Sequence, residues 1–121
     1  KTVGLLPEEY FMYYEDVDFS VKVADAGYKL VVLRDAKIYH KVSASSGGED
    51  SPFSIKWCTR NRLIFTHKYK DKGKNIILTY GFFYVSRLIK FSHYLITGDK
   101  NRFNALKEGI STGRQFTKNL E

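Results

Sequence analysis

The chain has 121 residues with 20 Lys or Arg against 13 Asp or Glu, which gives a formal net charge of +7. An apolar content of 43% excludes a disordered chain, and this length allows one domain at most. The single cysteine, Cys58, excludes an intramolecular disulfide, and no apolar run is long enough to cross a bilayer. The opening residues read as the inside of a domain, which predicts a piece of a longer protein.

The charge is divided unevenly along the chain. Residues 1–54 carry six bases and nine acids, a net −3, whereas residues 55–121 carry 14 bases and four acids, a net +10. This asymmetry predicts an acidic site joined to a segment that meets an anionic partner. A membrane surface, a phosphorylated substrate and nucleic acid all fit the basic part. We expect no nucleic acid, because recognition motifs are absent and the acidic part would repel phosphates.

A helix is predicted over residues 14–26. Val17, Val21 and Ala24 follow helical spacing, and acidic residues fill the first turn, where they complement the helix dipole. Gly27 follows as the expected C-terminal cap residue.

Two short strands are predicted next. Residues 28–33 and 36–42 are rich in β-branched and aromatic side chains, with a turn at Arg34–Asp35 between them. A small polar loop follows over residues 43–51.

Three helices are predicted in the rest of the chain. They cover residues 52 to about 70, 75 to about 97 and about 101 to 119, and the first begins with the N-cap Ser51 and Pro52. The small residues Gly109 and Gly113 fit a close helix contact, but the signal is weak in so polar a helix. The predicted class is therefore α+β over residues 1–50, followed by a basic bundle of about three helices over 51–121.

Three carboxylates, Glu15, Asp16 and Asp18, lie within four residues at the start of the first helix. Glu15 and Asp18 are three residues apart and share a face, while Asp16 points away from them. A helix N-terminus stabilises ionised carboxylates, so a base there is ready to accept a proton or a cation. The simpler interpretation is complementation of the dipole by a solvated acidic face.

The sequence around this acidic motif resembles that of a known family. Gly-Leu-Leu-Pro-Glu-Glu-Tyr-Phe-Met-Tyr-Tyr-Glu-Asp-Val-Asp-Phe-Ser is followed by Ala-Gly-Tyr-Lys-Leu-Val and then Asp-Ala-Lys-Ile-Tyr-His. From about Val3 to Arg62 the chain resembles the second half of inverting family 2 glycosyltransferases with the GT-A fold, and rhamnosyltransferase-type enzymes most of all. The resemblance implies transfer of a sugar from a nucleotide-sugar donor to a saccharide or lipid-linked acceptor, with residues 1–50 on the acceptor side.

The same resemblance implies roles for individual residues. Asp16 is the expected general base, Glu15 and Asp18 orient the acceptor, and His40 helps to bind Mg²⁺ or Mn²⁺ on the donor diphosphate. His40 also fits an ordinary histidine at the end of a strand. Such enzymes also need an N-terminal nucleotide-binding half with its own Asp-x-Asp motif, and nothing in residues 1–12 supplies either. We therefore expect the isolated chain to be inactive and to bind no metal.

Two arginines are candidates for binding the diphosphate of the donor. Arg60 and Arg62 could bind the diphosphate, because guanidinium groups match phosphate oxygens. The alternative is a solvated basic face.

The segment 72–97 combines a broad apolar surface with flanking cations. Only 12 residues separate Lys74 from Arg87, too few to cross a hydrocarbon core, so peripheral membrane contact competes with packing against a neighbour or a second copy. We expect a homodimer, in the cytoplasm or on the inner face of the plasma membrane. The alternative function is a basic helical module for membrane docking or protein interaction, without catalysis.

Overall fold

The computed structural model describes residues 3–39, 47–72 and 75–120. It contains four helices in chain order: α1 (Glu15–Asp25), α2 (Pro52–Lys68), α3 (Ile76–Ile96) and α4 (Lys100–Lys118). Within these described residues there is no strand, so the predicted α+β class is wrong. The four predicted helices are present, with ends within about two residues of the predicted ones.

The segment predicted to form two strands is an exposed, non-helical stretch. Every residue from 28 to 39 is exposed, up to 97% for Tyr39, and the predicted turn lies at Arg34–Asp35. A strand needs a neighbouring strand to pair with its backbone, and no strand or bridge pairing is assigned to residues 28–39 within the described structure. Side-chain preference alone therefore does not make a strand here. Residues 40–46, which include the end of the second predicted strand, lie outside the described residues.

Two of the predicted helix ends are confirmed. The Ser51 hydroxyl accepts a hydrogen bond from the Ser54 amide at 3.1 Å, and Pro52 occupies the first position of α2. Gly27 follows α1 with a φ of +84°, a conformation that glycine adopts without strain. The start of α4 differs slightly, since its N-cap is Asp99, whose side chain accepts from the Arg102 amide at 3.0 Å.

α2 and α4 pack with their backbones in close approach. A Cβ atom added at Gly109 would lie 2.6 Å from the Lys56 carbonyl oxygen, and one added at Gly113 would lie 3.1 Å from that of Arg60. Both glycines are buried. The two glycines, which gave only a weak signal in the sequence, therefore lie where the backbone of α4 approaches that of α2.

The apolar core lies where α2, α3 and α4 meet. Its buried members are Ile55 from α2, Tyr94 from α3 and the pair Ala105 and Leu106 from α4. α3 is also tied to α2 by a hydrogen bond of 3.0 Å from the Arg87 guanidinium to the Thr59 hydroxyl. In the part of the chain that the structure describes, no helix is both long and apolar enough to cross a membrane.

Candidate functional site

A turn in an unusual backbone conformation leads into α1 and its carboxylates. Tyr13 and Tyr14 have φ values of 69° and 75°, in the left-handed region that costs free energy for residues with a Cβ. Asn61, fully buried in α2, donates from its side-chain amide to the carbonyl oxygens of Met12 at 2.7 Å and Tyr13 at 3.0 Å. Such a conformation persists only where surrounding contacts hold it, and Asn61 supplies two of them.

Other side chains of α2 form hydrogen bonds at the same turn and in the segment before it. The Arg60 guanidinium donates to the carbonyl oxygen of Glu9 at 3.0 Å and to the side-chain oxygen of Asn61 at 2.6 Å. The hydroxyls of Tyr13 and Ser54 are hydrogen-bonded at 2.9 Å. The start of α1 is thus held from one side by a single helix.

The three carboxylates at this helix start have different environments. Asp16 is exposed, and its Oδ1 accepts from the Val17 amide at 2.8 Å. Asp18 is 0% exposed. Glu15 is half-buried, and its Oε2 has no hydrogen-bond partner among the described residues although the atom itself is buried. Asp18 and the Oε2 of Glu15 therefore face the protein while Asp16 faces solvent. Helical spacing predicted that Asp16 points away from the other two, but not which side is exposed.

Asp18 is the centre of a buried polar network between α1, the segment before it and the end of α2. The Tyr10 hydroxyl donates to its Oδ2 at 2.9 Å and the Tyr69 hydroxyl to its Oδ1 at 3.1 Å. The Lys68 ammonium lies 2.8 Å from Oδ2 and also contacts Glu9 at 2.6 Å. Both oxygens of the Asp18 carboxylate therefore already have hydrogen-bond partners within the chain.

The network keeps its acid and its base charged. Burial alone would raise the pKa of Asp18, but hydrogen bonds from Lys68 and Tyr10 outweigh it and the pKa is lowered. The pKa of Lys68 is raised, because hydrogen bonds to Asp18 and Glu9 outweigh its burial. Burial and the hydrogen bond to Asp18 raise the pKa of Tyr69 to about 12. At neutral pH Lys68 and Asp18 form an ion pair, and the neutral phenols of Tyr10 and Tyr69 donate hydrogen bonds to the Asp18 carboxylate.

The two arginines predicted to bind a diphosphate already have contacts within the chain. The Arg60 guanidinium lies 5.3 Å from the centre of the Trp57 ring and 5.0 Å from that of Phe116, and burial lowers its pKa. The Arg62 guanidinium lies 5.5 Å from the ring centre of Phe82 on α3. Both are on α2, whereas Asp16 is on α1. A role in diphosphate binding stays a prediction for both.

The predicted metal ligand, His40, lies outside the described residues. Across residues 3–39, 47–72 and 75–120, no group of three His, Cys, Asp or Glu side chains is arranged to hold a metal ion. The role of His40 stays a prediction.

Comparison with known proteins gives one relative of modest similarity. An uncharacterized protein of Sinorhizobium fredii is 35% identical to the chain over 77 residues. The match covers 60% of this chain and 8% of that protein, so the chain spans only a small part of its relative's length. No family model and no solved structure matches.

Proposed function

We propose that this chain is the acceptor-side part of a longer inverting glycosyltransferase of family 2, with Asp16 as its general base. The observation that carries the proposal is the exposed Asp16 carboxylate at the first turn of α1, beside two carboxylates that face the protein. The sequence of the Glu-Asp-Val-Asp-Phe motif, which resembles that family, supports the same role.

The chemistry needs one base that reaches the acceptor. The acceptor hydroxyl oxygen bonds to the anomeric carbon of the donor sugar while the bond from that carbon to the nucleoside diphosphate breaks. The hydroxyl proton passes to the Asp16 carboxylate, and attack from the face opposite the leaving group inverts the configuration.

The neighbouring carboxylates have separate parts in this proposal. For Glu15, orienting the acceptor stays a prediction, since the residue is half-buried and its Oε2 is itself buried. Asp18 does not contact the acceptor; it holds Tyr10 and Lys68 in place and so fixes the helix that carries Asp16. This changes the expectation from the sequence, in which Asp18 orients the acceptor directly.

The partners in this proposal are a nucleotide-sugar donor and a saccharide or lipid-linked acceptor, and the expected location is the cytoplasm or the inner face of the plasma membrane. A lipid-linked acceptor would bring the enzyme to the bilayer. The competing function is a non-catalytic module for membrane docking or protein interaction. The exposed apolar side chains of α3 favour it as a second candidate.

The test compares Asp16→Asn with Asp25→Asn in the full-length protein. Both residues are exposed and both lie on α1, so each variant should fold as the wild type does. We expect Asp16→Asn to reduce release of nucleoside diphosphate from a panel of nucleotide sugars, with acceptor present, by about 10²–10⁴-fold. Asp25→Asn should stay near wild type. Near-complete turnover by Asp16→Asn would refute the assignment, and no turnover by the wild type with any donor would favour the non-catalytic module.

A further inference from the structure

α3 exposes a continuous uncharged face along its whole length. Its members are between 58% and 84% exposed, and they are Ile77, Leu78, Phe82, Val85, Leu88, Ile89, Leu95 and Ile96. At 100° per residue they occupy a sector of about 140°, and from Ile77 to Ile96 the face is about 28 Å long. The other residues of α3 in this sector are Gly81 and Ser92, so the sector holds no charge. We call this surface the α3 face.

The rest of the described chain leaves the α3 face uncovered. The buried residues of α3 lie on its other side: they are Phe83 and Tyr94, and Tyr94 packs with Ala105 and Leu106 of α4. Contiguous apolar patches of this extent are rare on monomers that have no partner. A groove of about 330 Å³ extends the apolar surface from Val85 and Leu88 towards Ile110 on α4.

Arginines border the α3 face on both of its long edges. The Arg114 guanidinium of α4 lies 5.6 Å from the ring centre of Tyr84 at one edge. The Arg62 guanidinium of α2 lies 5.5 Å from the ring centre of Phe82 at the other. The residues from 55 onward have a net charge of +10. An uncharged stripe between two cationic borders is the pattern of a helix that lies among anionic lipid headgroups.

We propose that the α3 face docks on the surface of an anionic lipid bilayer, with α3 lying in the membrane plane. The apolar side chains enter the boundary between headgroups and acyl chains, and Arg62 and Arg114 meet lipid phosphates. A second copy of the chain fits this surface less well. A two-fold dimer through the α3 face would bring the same cationic borders towards one another, and like charges across an interface are unfavourable.

This inference does not rest on the proposed glycosyltransferase activity, because lipid binding is measured without any sugar donor. The experiment is sedimentation of the chain with vesicles of phosphatidylcholine alone or with about a third phosphatidylglycerol. We expect binding to the anionic vesicles, weaker binding at high salt and much weaker binding to the neutral ones.

Matched variants locate the binding surface. Leu88→Glu puts a charge on the α3 face at a side chain that is 66% exposed, and Leu30→Glu makes the same change at one that is 62% exposed. We expect Leu88→Glu to weaken vesicle binding about tenfold and Leu30→Glu to leave it within about twofold. Val85→Gln is a milder second variant on the face that should also weaken binding. Circular dichroism checks that each variant keeps its helices.

Three results would overturn the proposal. The first is the absence of binding to anionic vesicles, and the second is an equal loss of binding from Leu88→Glu and Leu30→Glu. The third is a dimer in light scattering that Leu88→Glu converts to a monomer while the wild type ignores lipid, which would assign the α3 face to a second copy.

Discussion

α2 has two interfaces that are built on different principles. Towards α4 it offers its own backbone to Gly109 and Gly113 and joins an apolar core around Leu106. Towards the segment before α1 it offers polar side chains: Asn61 to two carbonyl oxygens and Lys68 to two carboxylates. The first interface is held by the fit of small and apolar residues, the second by hydrogen bonds and charge. Adding one methyl group should therefore weaken the apolar interface, and removing one charge should weaken the polar one.

The largest effect is expected from Asp18→Asn in the polar interface. The substitution removes the charge that Lys68, Tyr10 and Tyr69 surround, and hydrogen bonds to charged groups contribute about 1.5–3 kcal/mol each. Because the amide retains some hydrogen bonding and Lys68 keeps Glu9, we expect a loss of about 3 kcal/mol in urea unfolding. The control is Asp25→Asn, which breaks an exposed ion pair with Lys72 and should cost about 1 kcal/mol or less.

The pH dependence of the free energy of unfolding is a second test of the polar interface. The pKa of Asp18 in the folded chain lies below its ordinary value of 3.8, so its stabilising effect is complete above that pH. The effect is lost as pH falls through the folded pKa. The wild type should therefore lose stability on acidification more steeply than Asp18→Asn does. Parallel curves for the two proteins would mean that the polar network does not stabilise the fold.

A smaller loss is expected from Asn61→Ala. The carbonyl oxygens of Met12 and Tyr13 lose their donors, and the left-handed turn at Tyr13 and Tyr14 loses its support. An unsatisfied buried group costs about 1–3 kcal/mol, so we expect a loss of about 2 kcal/mol in the same assay. Asn104→Ala, at an exposed position of α4, should change stability by less than about 0.5 kcal/mol. An equal response of the two asparagines would contradict the role of Asn61.

The smallest effect is expected in the apolar interface. In Gly109→Ala the new methyl group meets the Lys56 carbonyl, so α4 must move away from α2. Overpacking costs about 1–3 kcal/mol, and alanine returns about 0.5–1 kcal/mol of helix propensity, which leaves a net loss of about 0–2.5 kcal/mol, centred on about 1 kcal/mol. Gly81→Ala on α3 meets nothing within 4 Å and should gain about 0.5–1 kcal/mol. A gain for both variants would show that α2 and α4 are not in close contact.

The difference between the interfaces also explains what could be predicted from the sequence. The four helices, the cap at Ser51 and the end at Gly27 depend on neighbouring residues, and all were predictable. Helical spacing alone predicted that Asp16 points away from Glu15 and Asp18, but it did not predict which of the two sides is exposed. The strand prediction failed because pairing depends on a partner segment that residues 28–39 do not meet within the described structure.

The partners of Asp18 and of the Tyr13–Tyr14 turn could not be found in this way. Lys68, Tyr69 and Asn61 lie about 50 residues away along the chain and are brought close only by the fold. One local signal was available for Asn61. Asparagine is a poor helix former, so its presence in the middle of α2 indicates a role beyond the helix itself.

The left-handed turn at Tyr13 and Tyr14 has a consequence for the order of folding. α1 begins directly after this turn, at Glu15. The turn before it becomes favourable only when Asn61 arrives from 48 residues downstream, which requires α2 to be formed and docked. The turn before Asp16 therefore reaches its final geometry only after α2 has docked against it.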